Sequence, residues 1–205
     1  MKPLSRLSVA AACSVLAAAV PTAASADPAD PARVEVTVDI TEIKEPGVLA
    51  LTVAGNAVTL QENGSDLLIR QFTGTLPTVT VTDTRTLDEI PAGSAWAVLG
   101  STSDFTGTAG QAPIGAEHLG WKPRLINGGD TGLVSEGEEV VTVLDEPTQP
   151  GNDVGLVDQE LLVSTYDSAE VTGGAYTVDA GLTLRTPADV AAGSYRSTLT
   201  LSLFE

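Results

Sequence analysis

The strongest constraint in this chain is a period-two alternation of apolar and polar residues that returns again and again along its length. At the end of the sequence Tyr195, Ser197, Leu199, Leu201 and Leu203 fall on one side of the pattern, and Arg196, Thr198, Thr200 and Ser202 on the other. Successive side chains of a β-strand point to opposite faces, so such a stretch reads as a strand with one face buried. Ala192-Gly193-Ser194 marks its start as a turn. The terminus therefore reads as part of a sheet.

The same pattern organises the rest of the chain. Residues 33–43 alternate through Val34, Val36, Val38 and Ile40, with Glu35, Thr37 and Asp39 between them, and read as the first strand. Further strands are expected at 48–53, around Val58 and Leu60, at 66–72, 77–85 and 94–101, and at 138–144, 154–166, 175–185 and 195–204. Turn signals stand between them, including Pro46-Gly47, Gly55-Asn56, Asn63-Gly64, Pro91-Ala92-Gly93, Pro150-Gly151 and Gly173-Gly174. Asn63-Gly64-Ser65 also matches a glycosylation triplet, but its place between two strands makes it a turn. Residues 102–137 are richer in Gly, Pro, Thr and Asn, and read as a long irregular insertion with short strands at 103–106 and 117–127. About ten strands at hairpin spacing with no capped helical period argue for an all-β fold, an antiparallel β-sandwich.

The first 26 residues belong to a different argument. Lys2 and Arg6, an apolar run from Leu7 to Val20, and Ala24-Ser25-Ala26 have the layout of a secretory signal peptide. The apolar run is shorter than the ~20 residues of a membrane-spanning helix, so the chain is not expected to span a membrane. Cleavage would leave one domain, residues 27–205, without its single cysteine, Cys13. A cysteine-free domain of this size has to be held by its core alone. Lys2 and Arg6 would leave too, so eight basic residues face 27 acidic ones, a net charge of −19. That balance excludes nucleic acid and anionic membrane surfaces as partners, and suits a basic partner or a cation.

The chemistry-bearing residues are few. His118 is the only histidine, so zinc lacks its usual ligands and a Ser-His-Asp triad would depend on that one ring. Asp83 with Asp88 and Glu89, Glu136 with Glu138 and Glu139, and Asp145 with Glu146 are carboxylate groups of the sort a glycosidase uses. In so acidic a chain such neighbours arise by chance, and no catalytic residue is assigned. No cofactor is expected; calcium, which takes carboxylate and carbonyl oxygens, stays open. Trp96 and Trp121 are the most informative side chains, as pillars of the core or, if exposed, as platforms for sugar rings.

Several fragments in order resemble the WxL-domain surface proteins of Gram-positive bacteria. Val79-Thr80-Val81-Thr82-Asp83-Thr84-Arg85 looks like the strand and Asp-x-Arg turn before that family's first Trp-x-Leu, and Trp96-Ala97-Val98 stands where the motif would be. Tyr195-Arg196-Ser197-Thr198-Leu199-Thr200-Leu201-Ser202-Leu203 is similar to its second motif, Tyr-x-x-x-Leu-Thr-Trp-x-Leu. Val98 replaces the Leu of the first motif, and Leu201 the Trp of the second. The resemblance implies a secreted, non-enzymatic surface protein that attaches without a covalent anchor to the cell wall, to peptidoglycan, and works with a membrane-tethered protein partner. Its candidate wall-binding residues are Trp96, Val98, Trp121, Tyr195 and Leu201. Two other readings come from the residues themselves: a self-associating matrix subunit joined through open sheet edges, and a carbohydrate-active enzyme resting on the carboxylate pairs alone.

Overall fold

The structure, a computed structural model, describes residues 36–41 and 45–205. They fall into two units, one ending at Ile43 and one running from Lys44 to Glu205. The signal-peptide reading of residues 1–26 lies outside the described residues. So do residues 33–35 of the expected first strand; its described part, 36–41, forms neither strand nor helix and exposes Val36, Val38 and Ile40. The alternation there is real, but a strand also needs a neighbour to bond to.

The second unit is nearly all β. Its strands are β1 (Leu49–Val53), β2 (Gln61–Glu62), β3 (Ile69–Thr75), β4 (Val79–Asp83), β5 (Ala97–Thr102), β6 (Thr106–Gly107), β7 (Leu119–Asn127), β8 (Val134–Glu136), β9 (Glu160–Thr165), β10 (Ala175–Pro187), β11 (Tyr195–Arg196) and β12 (Leu199–Phe204). The one α-helix among the described residues, α1 (Ser168–Val171), is a single turn capped by Asp167, whose side chain accepts from the Ala169 N–H.

The spine of the first sheet is β10. It carries β7 on one side, and on the other it carries β4 and β3 end to end. Leu76, Pro77 and Thr78 separate β3 from β4, while only Asp179 and Ala180 separate the matching positions on β10. The single extra residue is a bulge that bends the line and gives Pro77 a place where no ladder N–H is needed. β1 pairs outside β4, and β2 outside β3. The second sheet has the order β12-β5-β9-β8.

Both sheets are antiparallel, and β7 and β10 of the first lie against β8 and β9 of the second. The inward residues follow the alternation: Val79, Val81 and Asp83 on β4, and Val98, Gly100 and Thr102 on β5, are buried. On β9 the register shifts by one residue opposite Val98 and Leu99, which leaves Leu162 and Val163 consecutive and both buried.

Five expectations need correction. Residues 102–137 are less irregular than expected: the strand expected at 117–127 is present as the nine-residue β7, which pairs along β10, and β6 and β8 lie in the same stretch. Residues 138–144 form no strand and join the ladder through a single bridge from Val140 to Trp121, and residues 57–60 are irregular before the two-residue β2. Residues 154–159 make turns, with Gly155 at φ 63° and no room for a Cβ against the Glu117 carbonyl. The last strand breaks at Ser197 and Thr198: β11 pairs with β6, and β12 with β5.

Candidate functional site

Trp96, Val98 and Trp121 are all buried, with exposures of 0%, 0% and 1%. They leave no surface for a sugar ring to stack on, which corrects their place among wall-contacting residues and makes them core pillars. Trp121 lies over Gly100, where a Cβ would come within 2.6 Å of its ring and 3.0 Å of the Leu201 side chain. Lacking a side chain, Gly100 lets the indole cross the gap between sheets. Trp96 sits against Tyr176, ring centroids 5.7 Å apart, and the Tyr176 hydroxyl donates to the Val171 carbonyl. Neither indole N–H has an acceptor among the described residues. Tyr195 and Leu201 are half-buried against the core, and the Tyr195 hydroxyl donates to the Ala191 carbonyl.

The structure does not gather these five residues into one site. It does explain the Asp-x-Arg stretch. The Asp83 carboxylate, fully buried, receives the Arg85 guanidinium through two bonds of 2.9 and 2.7 Å. Another guanidinium nitrogen of Arg85 reaches the Glu205 carboxylate at 2.6 Å, and Ser94 donates to the same carboxylate at 3.0 Å. These Arg85 bonds hold the Asp83 and Glu205 carboxyls below their ordinary range against the opposing pull of burial, and raise the guanidinium's own affinity for its proton. The cluster ties the end of β4 to the end of β12. It is a clasp with every charge paired.

The other carboxylates also have structural work. Glu89 caps Thr86 and receives the Gly47 N–H, and its carboxyl is lowered chiefly by the Thr86 bonds. Asp145 accepts from the Thr142 hydroxyl and pairs with Arg185 at 2.6 Å. Nδ1 of His118 bonds to the Arg185 carbonyl at 2.7 Å, so it carries the ring proton of the neutral form. Among the described residues no group of three or more metal-ligating side chains is close enough to hold an ion.

Two surface features were not legible in the sequence. A groove of about 530 Å³ is lined by Glu136, Glu138, Glu139 and Glu160, with Tyr166 at its rim and 86% exposed. Burial, aided by Asp158, pushes the Glu160 carboxyl up. At the tip of the β2–β3 loop Leu67 and Leu68 stand out at 95% and 79% exposure, held there because the Asp66 carboxylate accepts from the Leu68 and Ile69 N–H groups. A loop tip stiffened by its own backbone bonds presents this aliphatic pair in a fixed pose.

Among the described residues no helix is long and apolar enough to cross a membrane. Compared with family models, with characterised proteins and with solved structures, the chain gives no match.

Proposed function

We propose that the protein is secreted and works without catalysis at the bacterial cell surface, held non-covalently in the wall through a membrane-tethered protein partner. The export layout of residues 1–26 and the resemblance to WxL-domain proteins motivate the location. The observation that carries the mode of binding is the contrast between Trp96 and Trp121, which are buried, and Leu67 and Leu68, which are exposed on a stiff loop. Glycans are gripped by exposed aromatic faces, whereas an exposed aliphatic pair suits a protein groove. Association with peptidoglycan is then indirect, through the company the partner keeps.

Retention on purified peptidoglycan and on whole envelopes that keep their membrane proteins separates the two routes. Wild type should be retained on envelopes and washed from bare peptidoglycan, and the Leu67→Ser/Leu68→Ser variant should be lost from both. Equal retention of wild type and variant on bare peptidoglycan overturns the reading in favour of direct wall contact.

A further inference from the structure

The sandwich is open along one side. β7 and β10 face β8 and β9, so the opposite borders, β1 in the first sheet and β12 in the second, flank the same side; the Arg85–Glu205 clasp also joins the ends of β4 and β12 there. Among the described residues β1 pairs only with β4, and β12 only with β5. The bonds from Thr84 N–H to the Val48 carbonyl and from Ser103 N–H to the Thr198 carbonyl fix which residues face inward. By the alternation of an antiparallel ladder, the backbone groups of Leu49, Leu51 and Val53, and of Leu199, Leu201 and Leu203, then point away from the sheets.

Neither border is guarded. Leu49-Ala-Leu-Thr-Val53 and Leu199-Thr-Leu-Ser-Leu-Phe204 contain no charge, no proline and no glycine, the devices by which folded proteins blunt a free edge. The side chains of Leu49, Leu51, Leu199, Leu201 and Leu203 lean on the core but stay only half-buried. The seam therefore offers unpaired backbone and uncovered leucine together, the two things an added strand supplies.

The chain also carries a strand-like alternation outside the sheets. Val34, Val36, Val38 and Ile40 alternate with Glu35, Thr37 and Asp39, yet residues 36–41 form no strand and Val36, Val38 and Ile40 are 88%, 75% and 87% exposed. Its apolar face matches the leucines of the seam in spacing, and its two acids would lie beside Thr200 and Ser202, where no like charge repels them. We propose that the seam takes residues 34–40 of a second copy as an added strand along β12, so that each copy donates its own segment and accepts another's. Exchanged reciprocally between two copies, such a contact closes as a strand-swapped dimer; passed on to a third copy, it builds rings or filaments.

The inference needs no wall and no surface partner, and is tested on the purified chain carrying residues 27–205. Light scattering over a concentration series is compared for wild type and Val36→Asp/Val38→Asp/Ile40→Asp, whose changes lie outside the folded unit and should leave its melting unchanged. Wild type should grow into multimers and the variant should stay monomeric. A peptide of residues 33–43 added to the variant should bind one to one and slow hydrogen exchange at the Leu199, Leu201 and Leu203 amides at least tenfold. A wild type that stays monomeric overturns the second copy as the occupant, with protected amides pointing to the chain's own segment instead. Multimers that survive in the variant, or a peptide that leaves the three amides unprotected, overturn the seam as the site.

Discussion

The two flanks of the sandwich solve the same problem in opposite ways. On one flank the outward positions in the first half of β7 are occupied or blunted: the Leu119 carbonyl receives the Leu156 N–H, Trp121 exchanges both bonds with Val140, and Pro123 has no N–H to offer. Lys122 and Arg124 stand beside them, paired with Glu139 at 3.3 Å and Asp179 at 2.6 Å. On the other flank β1 and β12 end the sheets with bare ladders and half-covered leucines. A chain able to close one edge with proline, charge and bridging loops leaves the other open. That difference points to a use for the open side.

Removing the pillar of the closed flank should have the largest effect. Trp121→Ala should cost roughly 3–5 kcal/mol in denaturant unfolding, the usual range for emptying a large aromatic from a core. Arg85→Met should come close, because it strands the buried Asp83 carboxylate; losing one member of such a pair costs about 3–5 kcal/mol. The same variant tests the pH dependence. The carboxyls of Asp83 and Glu205 are lowered in the fold, so they contribute stability above their ordinary values of 3.8 and 4.5, and that contribution is lost as pH falls through the folded values. Thermal melting of wild type should therefore drop steeply below the ordinary carboxylate range, and Arg85→Met should flatten the slope.

Gly100→Ala should cost about 1–3 kcal/mol, because its Cβ meets the Trp121 ring at 2.6 Å and the indole has to move. The smallest effect on stability sharpens the comparison most. Thr200→Lys places a guard on β12 at an exposed position, and should change stability by less than about 0.5 kcal/mol while ending association measured by light scattering. If association survives this guard, the flanks differ in appearance only.

The alternation exposed most of this architecture because a strand with one buried face writes its period into the sequence. Val79 to Asp83 and the buried positions of β10 follow it closely. It misled at 36–40 and 138–144, where the pattern is present but, among the described residues, the partner is missing or reduced to one bridge. Periodicity records which way side chains would face, not whether a neighbouring ladder exists. The candidate site was less legible. The clasp joins residues 120 positions apart, and nothing local to Arg85 or Glu205 announces it. The acidic groove assembles Glu136, Glu139, Glu160 and Tyr166 from segments whose acids looked like ordinary surface. The tryptophans could be named from composition, but the burial of Trp121 depends on Gly100 being bare across the sandwich from it.

The position of β10 in the chain has a consequence for how the protein is made. β3, β4 and β7 all bond to this strand, yet it begins only at Ala175. When the chain is delivered N-terminus first, the earlier strands of the first sheet can form only isolated pairs, β1 with β4 and the β2–β3 hairpin, which are marginal in water. The first sheet cannot assemble until its spine arrives, and the long loops that must then close make the step slow. Until that moment β3, β4 and β7 lack the strand that joins them, and the first sheet is held back by the order in which the residues are written.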